Sequence, residues 1–308
     1  MSILGAAVNK DLVLSKCRYF TDVQVWPRAS RVDPERWLSN FSVEEEPYAL
    51  ALLSSFMFYR NELVEDMLRS GFMRLSGPIA TGERSLMGGR VAWRRFVDQA
   101  LIVPVTGEIP NVTDSGHKYA RIARIKLHIP QERILSCEKA IELVCEDNSI
   151  PVIFVDDFVG SGNQFIETYH RGYFCSHLGR KVSFHSLALM NTAHSFYYCP
   201  VFCTEYGGRR IKRNCPGVVL SPTHILDDRH SALSLSSAIW PDALKSGAYR
   251  FLKETGRRAG FYAEDEGEDD WRGFHALALA LAFEDSAPDA TVPIIYSTRN
   301  GWLPLVEY

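Results

Sequence analysis

The stretch Val152 to Phe165 reads V-I-F-V-D-D-F-V-G-S-G-N-Q-F, and its reading decides the fold. Val152 to Val155 are β-branched or aromatic, follow Pro151 and run into two carboxylates. A short apolar run bounded by turn signals predicts a buried strand of a parallel sheet. Gly160-Ser161-Gly162-Asn163 then predicts a small-residue loop, and Phe165, Ile166 and Tyr169 recur at roughly helical spacing. Strand, loop and helix in that order suit an anion. Glycines let the backbone approach closely. The unpaired amides at a helix start, with the helix dipole, favour negative charge there. Ser161, Asn163 and Gln164 add side-chain donors. Asp156 and Asp157 fall at the carboxyl end of the strand, where open α/β sheets bind ligands. As acceptors they suit sugar hydroxyls or a hydrated magnesium ion. The competing reading is an ordinary strand-to-helix turn in which an Asp caps the helix.

Composition sets wider limits. The 308 residues are 46% hydrophobic and 23% charged, enough for a sizeable core and a second lobe. A net charge of −3 argues against a broadly basic nucleic-acid surface and leaves only local patches. No apolar run approaches the roughly 18 residues of a membrane span. Lys10 and Asp11 interrupt the apolar start, which lacks a small-residue cleavage pattern, so no secretory signal is expected. Seven cysteines without a framework spacing fit reduced thiols and a cytoplasmic location. Cys199, Cys203 and Cys215 with His194 lack a fourth ligand at fixed spacing, so buried thiols are expected there rather than zinc.

Outward from the central stretch, the chain alternates strand and helix signals. Tyr19 to Trp26 reads as a short strand or a loop. Asp33-Pro34-Glu35 starts a helix, with Asp as N-cap and Pro in the first turn. One long helix is expected from Pro47 to Gly71, followed by a Gly-rich loop over Ser76 to Arg90 and a helix over Val91 to Gln99. Ala100 to Val105 predicts a second buried strand, although Pro104 weakens it. Thr106 to Gly116 reads as a polar loop before a helix over His117 to Leu127, and Ile134 to Asp147 as a further helix. Beyond the central stretch, Lys181 to Met190 is expected as a strand, Ser195 to Tyr206 as a helix and Gly217 to Leu220 as the last core strand. His185 reads as a core residue. Arg209 to Arg213 is the dense basic cluster, suited to a solvated helix end or to phosphates. The fold class that follows is α/β, with a parallel doubly wound sheet of about five strands. The expected domains are a mostly helical cap over 1–99, the core over 100–230 and a C-terminal covering lobe over 231–308.

The Val152–Phe165 stretch resembles the phosphoribosyl-pyrophosphate loop of type I phosphoribosyltransferases, in which a hydrophobic strand ends in two acidic residues and a small-residue turn. The resemblance implies that Asp156 and Asp157 hold the ribose hydroxyls and, through water, Mg2+. It implies that Gly160, Ser161, Gly162, Asn163 and Gln164 hold the 5′-phosphate, with Gln164 standing where the family has Thr or Ser. By position, the loop with Thr106 and Gly107, and Lys118 and Arg121 beyond it, falls where the family holds pyrophosphate, although an ordinary connection fits the same residues. The family's flexible hairpin before the acidic pair has no counterpart between Leu127 and Pro151, which bears on transfer chemistry more than on binding.

The tail is similar to that of phosphoribosyltransferase-like proteins from bacterial anti-phage loci, some beside retron reverse transcriptases. Ala282-Phe283 and Pro288-Asp289-Ala290-Thr291-Val292-Pro293 carry this likeness, with Asp285 and Ser286 replacing a His-Asn pair. The two resemblances imply an enzyme taking Mg2+-bound phosphoribosyl pyrophosphate or a related nucleotide, serving as an anti-phage effector. The alternatives are a catalytically silent nucleotide sensor or scaffold, and a partner of a reverse transcriptase and its RNA or DNA. A homo-oligomer remains open on the sequence, and no membrane contact is expected.

Overall fold

In chain order the helices and strands are α1 (Lys10–Asp22), α2 (Pro34–Leu38), α3 (Glu46–Ser55), β1 (Met57–Tyr59), α4 (Asn61–Arg74), α5 (Ser76–Ala80), α6 (Leu86–Gln99), β2 (Leu101–Pro104), α7 (Ser115–Lys126), α8 (Cys137–Glu146), β3 (Val152–Val159), α9 (Asn163–His170), β4 (Tyr173–Cys175), β5 (Arg180–Val182), α10 (Phe184–Met190), β6 (Phe196–Thr204), α11 (Glu205–Asn214), β7 (Val218–Leu220), β8 (His224–Leu226), α12 (Asp242–Arg258) and β9 (Leu281–Phe283). They come from a computed structural model that describes residues 8–28, 30–106, 115–190 and 195–308. The chain forms two compact units, Val64–Ile225 and a second that joins Met1–Leu63 to Leu226–Tyr308. The boundaries therefore fall near 63 and 225, where the sequence suggested 99 and 230.

The Val64–Ile225 unit is the α/β one. Its sheet runs β2-β3-β6-β7, all parallel, and β8 also pairs with β6. One face buries Val103, Phe154 and Tyr198 against Ile141 of α8, Phe165 of α9, Phe184 of α10 and Ile211 of α11. On the opposite face Phe96 of α6 meets Tyr197 edge-on at 5.1 Å, and α7 lies along β2 and β3. Pro104 is tolerated because β2 is an edge strand and Pro104 is its last residue.

Several expectations were wrong, each for a physical reason. Ser195–Tyr206 is not a helix: its nine central residues form β6, every one buried, and an interior parallel strand shows no polar alternation. Pro200 sits inside it. A residue's N–H and C=O point to the same side of a strand, and the Pro200 carbonyl accepts from Thr223, so its missing N–H faces the point where β7 gives way to β8. Lys181–Met190 is not a strand. Lys181 and Val182 close an antiparallel hairpin with β4, and α10 starts from reciprocal bonds between Ser183 and Ser186 (backbone N to opposite Oγ, 3.0 and 2.9 Å). Ser76–Arg90 is not one loop. It contains α5 and the start of α6, whose cap Ser85 accepts from the Gly88 amide at 3.0 Å. Tyr19–Asp22 belongs to α1. The helix expected to run from Pro47 to Gly71 breaks at Phe56, which is extended, and β1 intervenes.

In the second unit β1 pairs in parallel with β9, and Trp37, Phe251, Trp271 and Trp302 share a core with α3 and α12. The predicted cap at Asp33 is present, its side chain accepting from the Arg36 amide at 3.0 Å. No helix among the described residues is long and apolar enough to cross a membrane.

The buried sheet makes a chemical prediction. Burial pushes the thiols of Cys199, Cys203 and Cys215 up to about 12. The thiolate is the nucleophile, so these cysteines should be silent to iodoacetamide at mildly alkaline pH in the folded protein and label on unfolding. Rapid labelling of Cys199 or Cys203 in folded protein, read by mass spectrometry, would contradict a buried β6.

Candidate functional site

At the carboxyl end of β3 the chain turns through Gly160, Ser161 and Gly162 into α9. Gly162 is the N-cap of α9 and has φ +80°, a left-handed conformation that glycine adopts without steric cost. Ser161 Oγ accepts from the Asn163 amide at 3.3 Å. Among the described residues the amides of Ser161, Gly162 and Gln164 have no acceptor. Ser161 is only 6% exposed and Gly162 is buried, so these amides call for an anion or ordered water.

The carbonyls of the turn are taken from beneath by β6 and α11. Thr204 donates its hydroxyl to the Gly160 carbonyl at 2.5 Å, and Arg210 donates Nη1 to the Ser161 carbonyl at 2.9 Å. The carbonyl of one residue and the N–H of the next belong to one planar trans peptide and point in opposite directions. Clamping the carbonyls of Gly160 and Ser161 therefore turns the amides of Ser161 and Gly162 away from α11. The approach is close enough to require glycine on both sides. A methyl on Gly207 would strike the Gly160 carbonyl oxygen, and one on Gly162 would lie 3.0 Å from Ile211 Cγ1 and 3.2 Å from the Gly207 carbonyl.

The two carboxylates differ. Asp156 is 2% exposed and its Oδ2 accepts from the Tyr198 hydroxyl at 3.2 Å. Tyr198 stacks on Phe165 with centroids 3.9 Å apart, and burial, reinforced by Asp156, raises its pKa well above the ordinary phenol value. Asp157 is half-buried, and its Oδ1 accepts from the Phe158 amide at 2.8 Å. Adjacent strand residues project to opposite faces, so the pair does not present two parallel acceptors.

The remaining candidates lie at varying distance from this turn. The Thr106 carbonyl accepts from Thr168 at 3.0 Å and its hydroxyl from Arg171 at 3.2 Å, which fastens the end of β2 to α9. Gly107 lies outside the described residues. Lys118 and Arg121 stand on α7, half-buried and exposed respectively. Among the described residues no group of three or more His, Cys, Asp or Glu side chains is placed to hold a metal ion. Thr204 and Gly207 escaped the sequence reading, and Arg210 entered it only as one member of the Arg209–Arg213 basic cluster. The signal available was the nine-residue run ending at Thr204 and passing into E-Y-G-G, a second strand-to-helix junction beside the first.

The PRTase-CE family model matches residues 34–307 of the chain. No curated protein matches it.

Replacing Gly162 with Val adds strain at positive φ and crowds Ile211, and should cost about 1–3 kcal/mol of stability. Gly179 has φ +64° with open space around it, so Gly179→Val should cost less. Denaturant unfolding of the two variants decides; equal losses would mean that α11 does not press on the turn.

Proposed function

The chain belongs to the PRTase-CE family and is a phosphoribosyltransferase-like protein, and from that premise we propose that the Gly160–Gln164 turn binds the 5′-phosphate of phosphoribosyl pyrophosphate or a related nucleotide. The carrying observation is the pair of peptide units whose carbonyls are held by Thr204 and Arg210 and whose amides face away from them. A phosphate oxygen is the acceptor those amides lack, and the start of α9 adds its dipole. Asp157 accepts from the ribose hydroxyls. Asp157, through water, would help hold Mg2+ arriving with the diphosphate, and the ion would there supply charge neutralisation for the leaving pyrophosphate. The reaction is substitution at the anomeric carbon, with an oxocarbenium-like transition state, so the chain's contribution is positioning and electrostatics. Asp156, bonded to Tyr198 behind the turn, holds the turn's base rather than the sugar. The tail's likeness supports a role in bacterial anti-phage defence.

A second reading is a sensor or scaffold that binds without turnover, standing beside a reverse transcriptase and its nucleic acid. The burial of Asp156 favours it, since one of the two carboxylates expected at the ribose is 2% exposed and accepts from Tyr198.

Pyrophosphate release from Mg2+-phosphoribosyl pyrophosphate, with calorimetry alongside, separates the readings. The transferase reading expects release by the wild type and loss of most of it in Asp157→Ala. Asp157→Asn should weaken the magnesium-dependent part of binding most. Binding with no product over hours supports the sensor. Equal release by the wild type, Asp156→Ala and Asp157→Ala would end the transferase mechanism.

A further inference from the structure

We propose that Arg210 is a positioning residue of the phosphate turn, a role that rests on the phosphate reading of Gly160–Gln164. The guanidinium sits over the Tyr206 ring, 5.6 Å from its centroid, and spends one N–H on the Ser161 carbonyl at 2.9 Å. That carbonyl shares its peptide unit with the Gly162 amide. A cation on the oxygen draws electron density along the unit and strengthens the N–H at its other end as a donor. The same bond fixes the direction in which the N–H points. Arg210 thus acts on a bound phosphate through the Gly162 amide, without touching the phosphate itself.

The surroundings fit this role better than that of a solvated helix residue. Arg209, its neighbour on α11, pairs with Glu205 at 3.1 Å and is exposed, whereas Arg210 is half-buried and has no carboxylate partner among the described residues. A guanidinium whose charge is not matched by an acid adds positive potential beneath the turn. Thr204 secures the preceding peptide unit with a neutral hydroxyl, and also caps α11 by accepting from the Gly207 amide at 2.9 Å. The two supports therefore differ in kind: Thr204 holds geometry alone, and Arg210 holds geometry and adds charge.

Titration of ribose 5-phosphate into wild-type, Arg210→Met and Arg210→Gln protein, followed by the isotope-labelled Gly162 amide signal, tests this. In the wild type that signal should move on binding. Arg210→Met, which keeps the stem and removes donor and charge, should bind about tenfold more weakly or worse, and its Gly162 amide proton should already be shifted without ligand. Arg210→Gln, which keeps a neutral donor, should fall between. Should Arg210→Met fail to fold, Arg210→Gln carries the test alone, with the same shift and a smaller loss. Wild-type affinity and an unmoved Gly162 signal in a folded variant would overturn the role of Arg210 and leave the phosphate site standing. A wild-type Gly162 signal that ignores both ribose 5-phosphate and phosphoribosyl pyrophosphate would remove the phosphate reading, and the inference with it.

Discussion

The candidate site depends on one close approach, the start of α11 against the turn that follows β3. It exists because neither Gly207 nor Gly162 carries a side chain at the contact. With the backbones that near, Thr204 and Arg210 reach the turn's carbonyls from one side, and peptide planarity sends the amides to the other. A methyl at Gly207 would strike the Gly160 carbonyl oxygen, and one at Gly162 would crowd Ile211 and the Gly207 carbonyl, so the two elements would have to shift. The anion-ready geometry is thus a property of two neighbouring strand-to-helix junctions and cannot be built from the β3 junction alone.

That neighbourhood is imposed by the sheet. β3 and β6 pair in parallel from Val152–Phe196 to Val159–Cys203, so the residues following each strand emerge side by side. The register is held by burial. Phe154, Phe165, Phe184, Phe196 and Tyr198 are each under 2% exposed, and burying a large apolar side chain contributes about 1.5–3 kcal/mol. Sliding β6 by one residue would turn Tyr198 out of this cluster and bring its neighbour in. It would also part Thr204 from Gly160.

The sequence was legible where local chemistry and tertiary role agree. The Val152–Phe165 unit, the Asp33 cap and the strands at Ala100–Val105 and Gly217–Leu220 came through because their apolar runs and turn residues point the same way. It was illegible where context overrides local preference. Pro200 and two cysteines masked β6, whose strand character comes from being enclosed on both sides. Gly88 and Gly89 suggested a loop, yet they lie in α6, which is held by Trp93 and Phe96 stacked on each other, with Phe72 and Tyr197 edge-on to them. At the site, Asp156 and Asp157 were legible as a pair, but their difference in burial was not. It depends on Tyr198, forty-two residues away in sequence, which claims one of them.

This division of the acidic pair shifts where recognition must come from. Tyr198 cannot readily ionise in its buried stack, so it remains a donor, and Asp156 remains its acceptor. Swinging the Asp156 side chain out of this position would leave the Tyr198 hydroxyl unsatisfied inside the core, a cost of about 1–3 kcal/mol. The resting arrangement is therefore the stable one. Beside the turn Asp157 is the less buried of the two carboxylates, and the turn's peptide units are held from below by Thr204 and Arg210. Amides read a phosphate's geometry and charge without regard to what the phosphate is attached to. On the phosphate reading, specificity for the attached group would arise beyond the turn, and affinity would rest on the amides that Thr204, Arg210 and the two glycines set in place.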